Sequence, residues 1–190
     1  MPRSTATLPT PRVRSKPVPP GRPGADAPGA PHPRTLILGL GNDLLTDDSI
    51  GLRIADSLQE RFLDEGWVDV RKSGEAGLAL LDSIAGFDAL LIVDAIQTGK
   101  AAAGCFHRFE GGELKALPIR SPHFVGLAEV LALGHALGLS MPSRVRILAI
   151  EVFDPFTVGE ELTPALGAAL PSLVTQIEAE ARGFALPVDF

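Results

Sequence analysis

The segment TLILGLGNDLLTDDSIGLRIADSL, residues 35–58, decides the fold. Its first six residues, Thr35–Leu40, form an apolar run that predicts a buried strand ending at Gly41-Asn42. A helix is predicted to begin near Thr46-Asp47, because both residue types are favoured at helix N-caps. Apolar residues then recur every four positions along one helical face: Ile50, Ile54, Leu58 and Phe62. This strand, turn and helix predict one unit of an α/β protein.

The same alternation of patterns continues toward the C-terminus. Short apolar runs predict further strands at residues 67–70, 89–93, 104–109 and 144–150. Helical spacing predicts helices at residues 77–84, 121–139 and 164–182. Strands that alternate with helices predict an α/β fold, a three-layer α/β/α sandwich around a mainly parallel twisted sheet of about five strands. In such sheets ligands bind at the carboxyl ends of the strands.

Composition predicts one folded domain with a tail at each end. The chain has 190 residues, of which 45% are hydrophobic, enough for one sizeable core. Ten of the 17 prolines lie in residues 1–34, together with six basic residues and one acidic residue. We therefore expect residues 1–33 to be a disordered, Pro-rich basic tail, with a basic docking arm as the alternative. Residues 34–184 are expected to form the domain, and residues 185–190 a short C-terminal tail.

Charge and cysteine content exclude several classes of function. The formal net charge of −6 and the pI near 5.2 leave no broad basic surface, so we expect no nucleic-acid partner. The lone cysteine, Cys105, cannot form an intrachain disulfide, which favours a reducing compartment and a cytoplasmic location. No stretch has the length and apolarity of a signal peptide or a membrane span, so we expect no membrane partner.

Three places on the predicted elements carry side chains suited to metal binding. Asp47 and Asp48 lie at the start of the first helix, and spacing does not choose between them, since adjacent positions point about 100° apart. Asp94 follows the apolar run of a central strand, where a buried carboxylate is costly unless it is paired or metal-bound. His123 follows Ser121-Pro122 in the predicted first turn of a helix, whose dipole favours the neutral ring that metals need. Two carboxylates and an imidazole suit a divalent transition metal such as nickel or zinc.

Two motifs that would indicate other functions, dinucleotide binding and thiol catalysis, are supported by fewer residues than the metal site. Gly39-Leu40-Gly41 after a strand suggests dinucleotide binding, but the third glycine of that fingerprint is missing and the following helix start is acidic. Cys105 and His107 alternate on one predicted strand, yet no second feature of a thiol protease accompanies them. We therefore expect Cys105 to be a buried packing residue. His135 lies about 18 Å beyond His123 along the same predicted helix and cannot share its site.

Three ordered motifs together resemble the hydrogenase maturation proteases, the peptidases that finish the large subunits of nickel-iron hydrogenases. The motifs are ILGLGNDLLTDDSIGLRIADSL, then IVDAI in the central strand, then SPHFVGLAEVL at the later helix. A further stretch, IEVFDPFTVGEELTPALGAALP, resembles the last strand, loop and C-terminal helix of that family. The resemblance covers about residues 34–183, nearly everything outside the Pro-rich tail.

The resemblance implies the metal ligands, the reaction and the substrate. The ligands in that family are the second acidic residue after the Gly-Asn turn, the middle-strand aspartate and the histidine of the later helix. On this chain they are Asp48, Asp94 and His123, which are also the implied catalytic residues. The implied enzyme is an endopeptidase that removes the C-terminal extension of a nickel-iron hydrogenase large-subunit precursor after nickel insertion. We expect the nickel to be presented by the substrate, and another divalent metal can occupy the site in the free protein.

The sequence also departs from the family pattern. Ser49 stands where many members have glycine, and Ser73-Gly74-Glu75 replaces a common Gly-Thr pair, but neither is expected to touch a ligand. The alternative function is a non-catalytic nickel carrier or chaperone. Four scattered histidines and one cysteine make a poor metal store, which argues against that alternative. We expect a monomer that binds its precursor transiently.

Overall fold

The computed structural model describes residues 33–116, 123 and 126–185, which form a five-stranded sheet with helices on both faces. The strands are β1 (Thr35–Leu40), β2 (Val68–Ser73), β3 (Ala89–Ile96), β4 (Phe106–Glu110) and β5 (Arg144–Glu151). Their order across the sheet is β2-β1-β3-β5-β4. β4 runs antiparallel to β5, and the other neighbouring pairs are parallel. The predicted α/β/α sandwich with a mainly parallel sheet is confirmed.

The helices cover the sheet with two separate cores. They are α1 (Ile50–Arg61), α2 (Leu81–Ile84), α3 (Leu127–Ala136) and α4 (Pro164–Ala185), with 3-10 turns at Asp47–Ser49, Gly77–Leu80 and Gly111–Ala116. α1 and α4 pack on one face, and α2 and α3 pack on the other. β1 contributes Ile37 to the first core and Leu36 and Leu38 to the second. A strand buried on both faces reads as a continuous apolar run, which explains why TLILGL shows no alternation.

β3 is longer than the predicted strand at residues 89–93. It continues through Asp94 to Ile96, because its last residues pair with β5, where Ile96 lies opposite Glu151. Asp94 therefore lies within the strand, paired with β5 and fully buried, rather than beginning a loop.

The helix predicted at residues 121–139 is shorter than expected. It begins at Leu127, after Gly126, whose positive φ of 84° is not a right-handed helical conformation. His123 lies in a turn before this helix rather than in its first turn. The predicted start signal, Ser121-Pro122, lies outside the described residues.

The predicted tails lie almost entirely outside the described residues. Within residues 1–33 the structure describes Pro33, and within residues 185–190 it describes Ala185, the last residue of α4. The tail boundaries therefore stay predictions. Among the helices of the described ranges, none combines the length and the apolar character needed to cross a bilayer.

Candidate metal centre and active site

Asp48, Asp94 and His123 meet at the carboxyl edge of the sheet. Asp48 lies in the 3-10 turn between β1 and α1, Asp94 lies near the end of β3, and His123 lies in the turn before α3. Each offers one ligand atom, and the three atoms lie within 4.8 Å of one another. The residues are only 9%, 0% and 7% exposed, respectively. The fold thus brings together the three residues that the family resemblance implied.

Three glycines allow the turn with Asp48 to approach the sheet closely. A Cβ added to Gly39 would lie 2.2 Å from the carbonyl oxygen of Gly51. A Cβ added to Gly51 would lie 2.2 Å from a carbonyl oxygen of β1 and 2.5 Å from one of β3. At Gly41, φ is 150° and an added Cβ would lie 2.1 Å from the carbonyl oxygen of Asp48. The spacing Gly39-x-Gly41 therefore serves close packing of helix on strand rather than dinucleotide binding.

Asp94 is fully buried in β3, opposite Ala149 of β5. Its Oδ1 atom accepts a hydrogen bond of 2.8 Å from the N–H of Ala95. A carboxylate in such a place costs several kcal/mol unless it is paired or coordinates a cation. The imidazole of His123 and the carboxylate of Asp48 are grouped with it, so its surroundings suit a metal or a protonated ring.

His123 is held at both ring nitrogens. Its Nδ1 lies 3.3 Å from the carbonyl oxygen of Glu75, and its Nε2 lies 3.6 Å from Oδ2 of Asp48. When Nδ1–H donates to the carbonyl, Nε2 presents its lone pair to a metal. The N–H of Glu75 donates in turn to the hydroxyl of Ser73 at 3.0 Å. The expectation that Ser73-Gly74-Glu75 touches no ligand is therefore wrong, because the backbone of this segment orients His123.

The pKa of His123 is raised above its usual value of 6.5. The main cause is the Asp48 carboxylate beside Nε2; burial opposes the increase, while the charge of Asp94 and the carbonyl of Glu75 add to it. The helix dipole on which the expectation of a neutral ring was based does not act as predicted, because His123 precedes the helix, and two neighbouring carboxylates favour the protonated ring. A metal and a proton therefore compete for this ring.

The donor set fits a divalent transition metal. Carboxylate oxygens and an imidazole nitrogen are ligands of zinc and nickel alike. Ligand atoms that lie about 2.0–2.2 Å from one ion are within about 4.4 Å of each other. The present spacing, within 4.8 Å, is close to that limit, so small movements of the side chains are sufficient. Three ligands leave coordination positions for groups of a substrate.

Asp47, the other carboxylate of the pair, points to the loop between β5 and α4. It is fully buried and accepts hydrogen bonds from that loop, at Phe153, Asp154 and Thr163. The predicted capping role is wrong, because neither the 3-10 turn nor α1 has a side-chain cap bond. Successive residues of a 3-10 helix point about 120° apart, which directs Asp47 to the loop and leaves Asp48 for the cluster.

The structure does not support a nucleophilic pair of Cys105 and His107. The prediction of a buried Cys105 is wrong: its side chain is exposed, just before the edge strand β4, which has a neighbouring strand on one side. His107 Nε2 instead lies 3.4 Å from Oε2 of Glu151, and no hydrogen bond joins the two candidate residues in the described chain. His135 is exposed in the last turn of α3, outside the cluster, as predicted.

Sequence reasoning missed one buried carboxylate, Glu151 at the end of β5. It is 1% exposed and accepts hydrogen bonds of 2.6–2.8 Å from the N–H and hydroxyl of Thr98 and from the N–H of Gly99. Burial raises the pKa of Glu151, but these hydrogen bonds outweigh it and the net shift is downward. The run RILAIE, which ends in a charge as LLIVD does, is the signal that could have revealed it.

Comparison with known sequences supports the resemblance. The family model described as hydrogenase maturation protease matches residues 52–180, a range that includes Asp94 and His123 and begins just after Asp48. The chain is 36% identical over 153 residues to the hydrogenase 2 maturation protease of Escherichia coli K12, covering 78% of this chain and 91% of that protein. It is also 30% identical over 152 residues to the hydrogenase expression/formation protein HupD of Thiocapsa roseopersicina, covering 74% and 68%.

Solved structures show the same fold. The hydrogenase maturating endopeptidase HybD from Escherichia coli superimposes with a TM-score of 0.68 at 34% identity, covering 79% of this chain and 93% of that one. The [NiFe] hydrogenase maturation protease HybD from Thermococcus kodakarensis gives a TM-score of 0.59 at 29% identity, covering 78% and 99%.

Proposed function

The chain belongs to the hydrogenase maturation protease family and is an endopeptidase of that family, and from this premise we propose its substrate and its recognition mechanism. The proposed substrate is the large-subunit precursor of a nickel-iron hydrogenase, and the proposed reaction removes its C-terminal extension after nickel insertion. The grouping of the Asp48, Asp94 and His123 ligand atoms within 4.8 Å carries the proposal.

In this proposal the nickel belongs to the substrate. The precursor brings the ion with its own ligands, and the three residues fill positions that the precursor leaves open. Imidazole and carboxylate groups are suitable ligands for nickel, and three of them can complete the coordination of an ion that the precursor already holds. A precursor without nickel lacks this contact, so cleavage waits for metal insertion.

Bound nickel would place the C-terminal extension next to the two carboxylates. Hydrolysis adds water to the scissile carbonyl and requires a group that accepts the proton of that water. Asp48 is the more exposed of the two carboxylates and is the better placed to act as this base. Asp94 and His123 then serve to hold the metal, which can also polarise the scissile carbonyl.

Mass spectrometry of a nickel-loaded precursor incubated with the protein tests the proposal. The expected result is loss of one defined C-terminal peptide. Asp48→Asn, Asp94→Asn and His123→Ala should each lower the rate more than about 100-fold, since about 3–4 kcal/mol of transition-state stabilisation is lost. His135→Ala is the control, because His135 is exposed and outside the cluster, and it should cleave at the wild-type rate. An intact precursor after incubation with wild type, or full activity of His123→Ala, would contradict the proposal.

A further inference from the structure

Asp47 is buried next to the proposed metal site, and the proposed function gives it no role. Its carboxylate accepts four hydrogen bonds from the β5–α4 loop, residues 152–163. The N–H of Thr163 donates to Oδ1 at 2.8 Å. The N–H groups of Phe153 and Asp154 and the hydroxyl of Thr163 donate to Oδ2 at 3.2, 3.0 and 3.0 Å. The bonds span 106 to 116 residues of sequence, so they join two distant segments.

The backbone of the same turn is also bonded to this loop. The N–H of Asp47 donates to the carbonyl of Asp154 at 3.1 Å, and the N–H of Thr46 donates to the carbonyl of Thr157 at 3.0 Å. The hydroxyl of Thr46 donates to the carbonyl of Asp154 as well. The turn that carries Asp48 and the β5–α4 loop therefore form one hydrogen-bonded unit.

The middle of the loop is held by these hydrogen bonds rather than by burial of its large apolar side chains. Phe153, whose N–H donates to Asp47, is 75% exposed, and Phe156 is 73% exposed. Val152 anchors the start of the loop in the core, at 3% exposure. At Phe153 and Asp154, by contrast, the hydrogen bonds to Asp47 fix the position of the backbone. The residue that follows Asp47 in the chain is the proposed metal ligand.

We infer that Asp47 is a positioning residue of the proposed site. By holding the turn against the β5–α4 loop, it keeps the Asp48 carboxylate within reach of Asp94 and His123. The inference rests on the proposed function, since the position of Asp48 affects the reaction only if the cluster engages the precursor's nickel. Replacing a residue that orients a metal ligand without touching the metal typically lowers metal affinity or activity by about 10–100-fold.

Asp47→Asn tests the inference with little change in side-chain size. The amide replaces one acceptor oxygen by a donor NH2, which then faces N–H groups. Glu151→Gln is the matched control, because Glu151 is equally buried and accepts three short hydrogen bonds from Thr98 and Gly99 outside the cluster. Both variants lose one acceptor of a buried carboxylate, but only the first loses it next to a ligand.

The measured quantity is the ratio of kcat/KM for nickel-loaded precursor to kcat/KM for nickel-free precursor, below the thermal midpoints of all proteins. Loss of folded enzyme lowers both values equally and leaves the ratio unchanged, so the ratio separates positioning from stability. Asp47→Asn should lower the ratio about 10–100-fold. Glu151→Gln should retain the wild-type ratio.

The outcomes distinguish the inference from the proposed function. A wild-type ratio of one would refute nickel recognition itself. A wild-type ratio well above one, unchanged in Asp47→Asn, would overturn the positioning role and leave the proposed function standing. If Asp47→Asn does not fold, Thr163→Val removes one of the four donors and should lower the ratio severalfold. An unchanged ratio in that variant would overturn the inference equally.

Discussion

Replacing Gly51 with alanine should move α1 away from the sheet and displace Asp48 from its partners. An added Cβ would lie 2.2 Å and 2.5 Å from two backbone carbonyl oxygens, whereas ordinary contact begins at 3.4 Å. Backbone carbonyls of β1 and β3 cannot rotate away as a side chain would. Restoring contact therefore requires a shift of about 1 Å between helix and sheet in a closely packed interior.

The expected magnitude follows from two opposing contributions. Alanine is favoured over glycine by at most about 1 kcal/mol within a helix. Overpacking typically costs about 1–3 kcal/mol, and rigid backbone on both sides places Gly51 at the upper end. The net loss of about 2 kcal/mol should lower the thermal midpoint by about 4–8 °C for a domain of this size. A misplacement of about 1 Å at the site can lower the cleavage rate about 100-fold.

Gly183→Ala is the matched control for Gly51→Ala. Gly183 also lies in a helix, α4, but a Cβ added there has no atom within 4 Å. Thermal unfolding and precursor cleavage should be measured for both variants, and Gly183→Ala should match or slightly exceed the wild-type midpoint. If Gly51→Ala has the same midpoint as Gly183→Ala and cleaves at the wild-type rate, close packing at Gly51 does not position Asp48.

Three further results are expected. Deleting residues 1–33 should leave the thermal midpoint and the processing rate nearly unchanged, because these residues precede β1 and offer few core-forming side chains. A large decrease in the midpoint or in the rate would identify the segment as a docking arm. Cys105→Ser should retain processing and nearly full stability, because the thiol is exposed, whereas an inactive but folded variant would indicate a thiol mechanism. The raised pKa of His123 stabilises the metal-free fold fully below its unfolded pKa, and this stability is lost as pH rises through the folded pKa. The unfolding free energies of wild type and His123→Gln should therefore differ more at about pH 6 than at about pH 9.

Patterns in the sequence predicted the strands and helices correctly where the local signal and the tertiary packing agree. TLILGL is buried on both faces and reads as a continuous apolar run, and α1 shows its buried face at every fourth residue. The same logic located Asp94 at the carboxyl edge of the sheet. The end of β3 could not be predicted, because it depends on pairing with β5, which lies about fifty residues further along the chain.

Side-chain environments were harder to predict than elements. A carboxylate pair at a helix start suggests capping, but Asp47 instead accepts hydrogen bonds from a loop more than a hundred residues away. Cys105 was expected to be buried from its residue type, yet it precedes an edge strand and is exposed. His123 was expected to be neutral from a local dipole, yet two carboxylates far away in the sequence raise its pKa. In each case the deciding group is a tertiary neighbour that no local pattern contains.

Nickel dependence of cleavage is the most direct measurement of whether Asp48, Asp94 and His123 recognise the metal of the precursor. One precursor preparation, divided into nickel-loaded and nickel-free halves, should be incubated with the wild-type protein, and release of the C-terminal peptide should be followed by mass spectrometry over time. We expect rapid release from the nickel-loaded half and little or none from the other. Equal rates of release from the two halves would contradict metal recognition by this site.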